Sequence, residues 1–247
     1  MTNPTAAMIV IGDEILSGRT RDSNLNHLAK ALTQHGVELC EARVISDDRA
    51  AIVTAVRDLS ARFDHVFTSG GIGPTHDDIT ADCVAEALGI GIDVREDARV
   101  ILEQYYGDTL NAARLRMARI PEGATLIDNP LSRAPGFTIA NVHVMAGVPS
   151  IFREMLAGLR PALKGGAAMR AHAFRVGAPE GDIADLLRFV AADHAEVAIG
   201  CYPFYRDGLG CTVILRSTDA QRLAAASGAL RRLLRDVTDA VEETPPA

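Results

Sequence analysis

The chain has 247 residues, 48% of them apolar, 23% charged and 4% aromatic, and a net charge of −7. At roughly 150 residues per domain this length allows one or two domains, and the apolar content excludes wholesale disorder. The acidic balance, the absence of Trp and the scarcity of aromatics argue against nucleic acid as a partner. No apolar run approaches a membrane span, and no basic segment precedes a long apolar one at the N-terminus. No membrane partner is therefore expected, and the cytoplasm is the expected compartment. Cys40, Cys83, Cys201 and Cys211 form no C-x-x-C pair and read as reduced thiols.

Ala6–Ile11 is a compact apolar run ending at Gly12 and reads as a buried strand. Asp22 or Ser23 can cap a helix in which Leu25, Leu28, Ala29 and Leu32 recur at helical spacing, closed by Gly36. Val37–Ile45 is a second strand, and Asp48 can cap a helix that buries Ile52, Ala55, Val56 and Leu59. His65–Ser69 is a third strand, followed by a glycine-rich turn and a helix from about Ile79 to Leu88. This alternation predicts a mostly parallel sheet with helices on both faces, an α/β fold. A helical stretch over Glu96–Arg119 breaks near Gly107; Phe137–Ala140 and Val142–Met145 form a hairpin about Asn141, and a helix runs from Ser150 to Leu163. Lys164-Gly165-Gly166 is a breakable joint, which divides the chain into 1–165 and 166–247. The second part reads strand His172–Val176, helix Asp182–Ala192, strand Val197–Tyr202, turn Asp207-Gly208, strand Cys211–Arg216 and helix Ala220–Val237, a small α+β domain in βαββα order with a loose tail from Glu242.

Four polar or glycine-rich segments each follow a strand: Gly12-Asp13-Glu14, Ser46-Asp47-Asp48, Gly70–Thr75 and Ala146–Ser150. Ligands of open α/β sheets bind at the carboxyl ends of parallel strands, so the first three should converge. The fourth joins them if Val142–Met145 runs parallel to the others. Gly70-Gly71-Ile72-Gly73-Pro74-Thr75 suits a phosphate, because glycines let main-chain N–H groups approach an anion. The plainer reading is a tight turn with no ligand. The segment is neither a Walker loop nor a dinucleotide fingerprint, since the required G-K-[ST] and third glycine are missing. Asp13, Glu14, Asp47, Asp48, Asp77 and Asp78 would crowd the same edge, where each close like-charge pair costs about 4 kcal/mol. A divalent cation resolves the conflict, and Mg²⁺ suits one or two carboxylates plus phosphate oxygens. Taken singly, Asp48, Asp77 and Asp78 could each be no more than a helix cap. Arg116, Arg119 and Arg133 could reach an anionic ligand, Arg133 best placed of the three; His76 reads as an exposed loop histidine.

These residues carry a resemblance. Gly12-Asp13-Glu14-Ile15-Leu16-x-Gly18, Asp22-x-Asn24, Asp47-Asp48 and Gly70–Thr75-x-Asp77-Asp78-Ile79-Thr80 resemble the molybdopterin-binding (MoaB/Mog-like) superfamily, and within it the amino-terminal region of the CinA (competence/damage-inducible protein A) family. Asn129-Pro130, Ala134-Pro135-Gly136-Phe137 and Gly147-Val148-Pro149 extend the match, and Ile199-Gly200-x-Tyr202-Pro203 resembles the small domain that accompanies it. The resemblance implies a MogA-like three-layer αβα sandwich that binds a pterin or nucleotide (di)phosphate. It implies catalytic and metal-holding acids at Asp47 or Asp48 and at Asp78, with Gly12, Thr80, Arg133, Gly147 and Pro149 at the ligand edge. It also implies a homo-oligomer, dimer or trimer. CinA-type domains are associated with metal-dependent cleavage of the pyrophosphate in ADP-ribose-like dinucleotides, and a related domain accompanies FAD synthase in eukaryotes. Mog-type relatives serve molybdenum cofactor assembly. The amidohydrolase domain of full-length CinA proteins has no counterpart in these residues, so NMN deamidation is not expected of them. Three readings follow: a metal-dependent pyrophosphatase on ADP-ribose or FAD-like substrates, a protein that binds or adenylylates molybdopterin, and a non-catalytic ligand-binding protein.

Overall fold

The computed structural model describes residues 3–205 and 208–244. It divides into two compact units, Met1–Gly166 and Ala167–Ala247. In the first, β1 (Thr5–Ile11), a single helical turn α1 (Asp13–Leu16), α2 (Asn24–His35), β2 (Glu38–Ile45), α3 (Arg49–Arg62), β3 (His65–Ser69) and α4 (Thr80–Leu88) follow in order. Then come β4 (Ile92–Val94), α5 (Glu96–Tyr106), the short α6 (Ala112–Leu115), β5 (Arg119–Pro121), β6 (Thr125–Ile127), β7 (Gly136–Ile139), β8 (Val142–Met145) and α7 (Pro149–Leu159).

The main sheet runs β2-β1-β3-β8-β7-β6. Its first four strands are mutually parallel, and β7 and β6 complete it antiparallel. The alternation of β1 explains the layering. Ala7, Ile9 and Ile11 pack with α3, α4 and α5 residues such as Ile52, Leu59, Val84 and Leu102. Ala6, Met8 and Val10 pack on the opposite face with Leu28 and Leu32 of α2 and Phe152 and Met155 of α7. A strand covered on both faces has no polar face to show, which is why β1 reads as an unbroken apolar run. The result is the expected three-layer αβα sandwich. Because β8 lies parallel to β3, with Val66 opposite Val142 and Ser69 opposite Met145, the fourth polar segment does leave the sheet at the same edge as the other three.

The second unit contains β9 (Arg170–Val176), α8 (Glu180–Asp193), β10 (Ala198–Phe204), β11 (Gly210–Ser217), α9 (Ala220–Leu234) and β12 (Val241–Thr244). Its antiparallel sheet runs β10-β11-β9-β12. The last strand corrects an expectation. Glu242–Thr244 are not a loose tail but pair with β9, and Glu243 clamps Arg231 of α9 at 2.6 and 2.7 Å. A four-residue strand with a single apolar residue carries no hydrophobic period to announce it. Asp207, half of the expected turn, lies outside the described residues. The two-stranded β4–β5 sheet was not expected either. The four cysteines are free thiols, as expected. Among the described residues no helix is long and apolar enough to cross a membrane.

At the amino ends of the parallel strands, His65 and His143 are buried side by side, with 3.1 Å between Nδ1 of His65 and Nε2 of His143. Thr138 Oγ1 lies 3.0 Å from His143 Nδ1, and His65 Nε2 lies 3.1 Å from the Lys164 carbonyl. One neutral arrangement satisfies all of them: Thr138 donates to His143, His143 to His65, and His65 to the carbonyl. Burial, and then the neighbouring His65, lowers the His143 pKa from 6.5 to about 3. The unfolded chain binds this proton as pH falls through 6.5, whereas the folded chain does not until about 3. Stability from this site is therefore complete above pH 6.5 and drains away between those values, by up to about 1.4 kcal/mol per pH unit. Urea unfolding midpoints at pH 7, 6, 5 and 4 should fall more steeply for the parent chain than for His143→Gln.

Candidate functional site

At the carboxyl ends of β1, β3 and β8 the glycine turn closes over a cavity of about 450 Å³. Gly70 (φ 110°) and Gly71 (φ 67°) both occupy the left-handed half of backbone space. A Cβ on Gly70 would stand 2.2 Å from the Ile11 carbonyl oxygen, and one on Gly71 would stand 2.2 Å from Thr80 Oγ1. Only glycine fits either position. Thr80, fully buried, holds the bend: its hydroxyl donates to the Gly70 carbonyl at 3.0 Å, and its amide donates to the Gly71 carbonyl at 3.0 Å. The Gly70 amide is taken by the Met145 carbonyl. The amides of Gly71, Ile72 and Gly73 have no hydrogen-bond acceptor among the described residues. All three residues line the cavity.

The next part of the loop is held by acids. Asp78 Oδ2 accepts from the Thr75 amide at 2.8 Å and from its hydroxyl at 2.5 Å, and Asp77 Oδ1 accepts from the same hydroxyl at 2.5 Å. The carboxylate of Asp78 fills the space a Gly73 side chain would need. From the other side, Asp47 Oδ2 accepts from the Asp13 amide at 2.9 Å. Asp47 and Asp78 thus share a pattern. One oxygen of each is oriented by a backbone amide, and Oδ1 accepts nothing among the described residues. The Asp47 pKa is raised, first by burial and then by the charges of Asp13, Glu14 and Asp77, against the opposing effect of the Asp13 amide. Hydrogen bonding from Thr75 lowers that of Asp77.

Of the expected residues, Gly12, Glu14, Asp47, Gly70, Gly71, Ile72, Gly73, Pro74, Asp77, Asp78 and Gly147 line the cavity. The others stand behind or beside it. Asp48 caps α3 by accepting from the Ala51 amide at 2.9 Å, the plainer of its two readings. Asp13 offers its amide to Asp47, Thr75 anchors the loop acids, and Thr80 is sealed beneath the turn. Pro149 begins α7, where a missing N–H costs nothing. Arg133 leans toward Asp128 at 3.8 Å, Arg119 pairs with Asp82 at 2.6 Å, and Arg116 reaches only the Asp78 carbonyl. His76 is almost fully solvent-exposed.

Three contributors had no sequence signal strong enough to assign them a role. Arg114 and Tyr106 line the cavity, the guanidinium 4.6 Å from the ring centroid. They arrive on α5 and α6, in the excursion between β4 and β5; the sequence marks these as helical, but nothing in it says that they fold back over the cavity. Asn24 sits within a quoted motif, but its task is visible only in three dimensions. Its buried amide donates at 2.7 Å both to Ser69 Oγ and to the Gly147 carbonyl, tying the end of β3 to the loop after β8. Thr80→Val should leave the Gly70 carbonyl without its buried hydroxyl partner. A loss of about 1–3 kcal/mol is expected in urea unfolding, with a weakened affinity for any anion held by the turn.

Comparison with known proteins gives the family. Residues 7–165 match the family described as "Probable molybdopterin binding domain", and residues 168–241 match "FAD synthase, middle domain". A CinA-like protein of Citrifermentans bemidjiense is 36% identical over 242 residues, covering 92% of this chain and 58% of its own length. One from Geobacter sp. strain M21 is 35% identical with the same coverage. The chain therefore spans little more than half the length of these relatives. The crystal structure of the protein CinA of unknown function from Thermoplasma acidophilum is 34% identical with a TM-score of 0.62, covering 66% of this chain and 99% of that one. By its sandwich, its stapled glycine turn and these matches, the chain belongs to the MoaB/Mog-like molybdopterin-binding domain family, among the CinA-like proteins.

Proposed function

We propose that the first unit binds the diphosphate of a nucleotide-type ligand across Gly71–Gly73 and, with a divalent cation, hydrolyses its phosphoanhydride. The observation that carries this reading is the meeting of three acceptor-free amides and two half-open carboxylates at one cavity. Free amides in a glycine bend hold an anion by direct N–H donation. The carboxylates would repel that anion unaided. Among the described residues no three His, Cys, Asp or Glu side chains converge tightly enough to enclose a metal. The oxygen donors nevertheless fit Mg²⁺, which is commonly held by one or two carboxylates together with phosphate oxygens. Asp47 and Asp78 would hold it through Oδ1. Bound there, the cation supplies charge neutralisation at the diphosphate.

The protein's own groups then divide the work. Gly71, Ile72 and Gly73 fix the diphosphate in position. Glu14 lines the same cavity and is the group placed to orient a water or accept its proton. Tyr106 offers a ring face to a flat ligand base, backed by Arg114. A cavity of about 450 Å³ falls in the usual range for small-molecule sites. The match of residues 168–241 to the middle domain of FAD synthase supports a nucleotide ligand. The description of the family that matches residues 7–165 supports a second reading, in which the same turn holds the phosphate of molybdopterin for binding or adenylylation.

The purified chain should hydrolyse ADP-ribose or FAD in Mg²⁺ and stop in EDTA. Asp78→Asn and Asp47→Asn should each lower kcat by at least about 100-fold, comparable to the loss of a charge-stabilising group in other active sites. Undiminished turnover in EDTA would overturn the mechanism. Tight nucleotide binding without turnover in any divalent metal would leave the non-catalytic reading. A co-purified pterin in place of a nucleotide would favour the second.

A further inference from the structure

The second unit has a cleft of its own, about 220 Å³, between the start of β9 and one face of α9. Ala220, Leu223, Ala224, Ser227 and Arg231 of α9 line it, at intervals that place them on a single side of the helix. Three of the five are small, so the helix leaves space above Arg170 and His172 of β9. An apolar cleft of this kind would normally be filled by a larger side chain. This one is edged by cations instead.

Arg231 is held by Glu243 at 2.6 and 2.7 Å, and its guanidinium lies 5.9 Å from the Phe174 ring. Arg170 has neither ion pair nor hydrogen bond from its side chain among the described residues. His172 is buried and stacked on Phe174, with centroids 4.5 Å apart and planes at 22°. Its Nε2 lies 3.2 Å from Glu243 Oε2 without the alignment of a hydrogen bond. Ser227 is 2% exposed, and its hydroxyl has no partner. Of four buried side-chain polar atoms without a hydrogen-bond partner among the described residues, two belong to this small cleft. Such atoms are costly to leave unpaired. In formal charge Arg170 and Arg231 outweigh Glu243. The cleft is therefore locally positive on a segment where residues 166–247 carry 11 acids and 9 bases.

We propose that this cleft is an anion site for a small phosphate monoester, gripped by the Arg170 and Arg231 guanidinium groups and by hydrogen bonds from Ser227 and His172. Two guanidiniums edge a cleft whose wall also contains the buried Ser227 and His172, and its volume admits a tetrahedral group and a few more atoms. A terminal phosphate offers three oxygens to those donors. A phosphodiester offers two and carries one negative charge in place of up to two, so it satisfies fewer of those donors.

Inorganic phosphate is the probe, titrated to about 20 mM into the full chain and followed by residue-resolved NMR. Saturable shifts are expected at the His172 ring and the Ser227 amide. They are read separately from any at Gly71–Gly73, so the outcome does not depend on the function proposed for the first unit. Arg170→Gln, at an exposed position, should weaken this binding at least fivefold with a thermal melt close to the parent, and Ser227→Ala at least twofold without melting lower than the parent. Dimethyl phosphate, with one oxygen and one charge fewer for the donors, should bind at least fivefold more weakly. The proposal is overturned if the His172 and Ser227 signals do not saturate with phosphate, if Arg170→Gln binds as the parent does, or if dimethyl phosphate competes equally.

Discussion

The hydrogen bonds from Thr80 to the carbonyls of Gly70 and Gly71 are the constraint on which the candidate site depends. They turn two successive carbonyls inward, under the bend. With those carbonyls committed, the amides of Gly71, Ile72 and Gly73 are left toward the cavity. The same bend brings Gly70 so near the end of β1 that no side chain would fit there, and sets it close to the loop after β8. A Cβ on Gly147 would already stand 3.2 Å from the Gly70 Cα. Three strand ends are thus packed main chain to main chain, with Asn24 as the cross-tie. Precision of this kind comes from backbone contacts and buried hydrogen bonds, which deform less readily than exposed side chains.

The two ends of the sheet solve opposite electrostatic problems. At the amino ends of the strands, His65 and His143 join a hydrogen-bond chain in which every ring nitrogen has a partner. Burial penalises charge on His143. At the carboxyl ends, Glu14, Asp47, Asp77 and Asp78 share a cavity with unsatisfied amides. Charges of one sign are tolerated because the cavity is open to water, although Asp47 registers the crowding in its raised pKa. A neutral, satisfied end has little left to offer a charged ligand. An end with surplus donors and surplus negative charge has both, provided a cation accompanies the anion.

Much of this was legible in the chain. The strand of Ala6–Ile11 and the caps at Asp48 and Gly36 needed only periodicity and capping chemistry. The convergence of the four polar segments followed from the direction of parallel strands. What escaped was set by contacts distant in sequence. β12 exists because β9 offers a free edge and Arg231 offers a partner to Glu243. Arg114 rather than Arg133 reaches the cavity because the excursion between β4 and β5 folds back over it, whereas Arg133 is turned toward Asp128. No local pattern encodes a return path of that kind.

Asp47 and Asp48 show the limit most sharply, since they are chemically identical neighbours with different tasks. Asp48 has extended backbone angles and stands one residue before α3, so its carboxylate folds onto the open amide of Ala51. Its predecessor is directed the other way, across to the Asp13 amide and the cavity. A cap is satisfied within its own helix and gains nothing from ligand. A carboxylate whose neighbours are Asp13, Glu14 and Asp77 is destabilised as an anion. Residue type and position along the chain made the pair equal candidates. The direction in which the helix starts is what turns Asp48 into a cap and leaves Asp47 at the cavity.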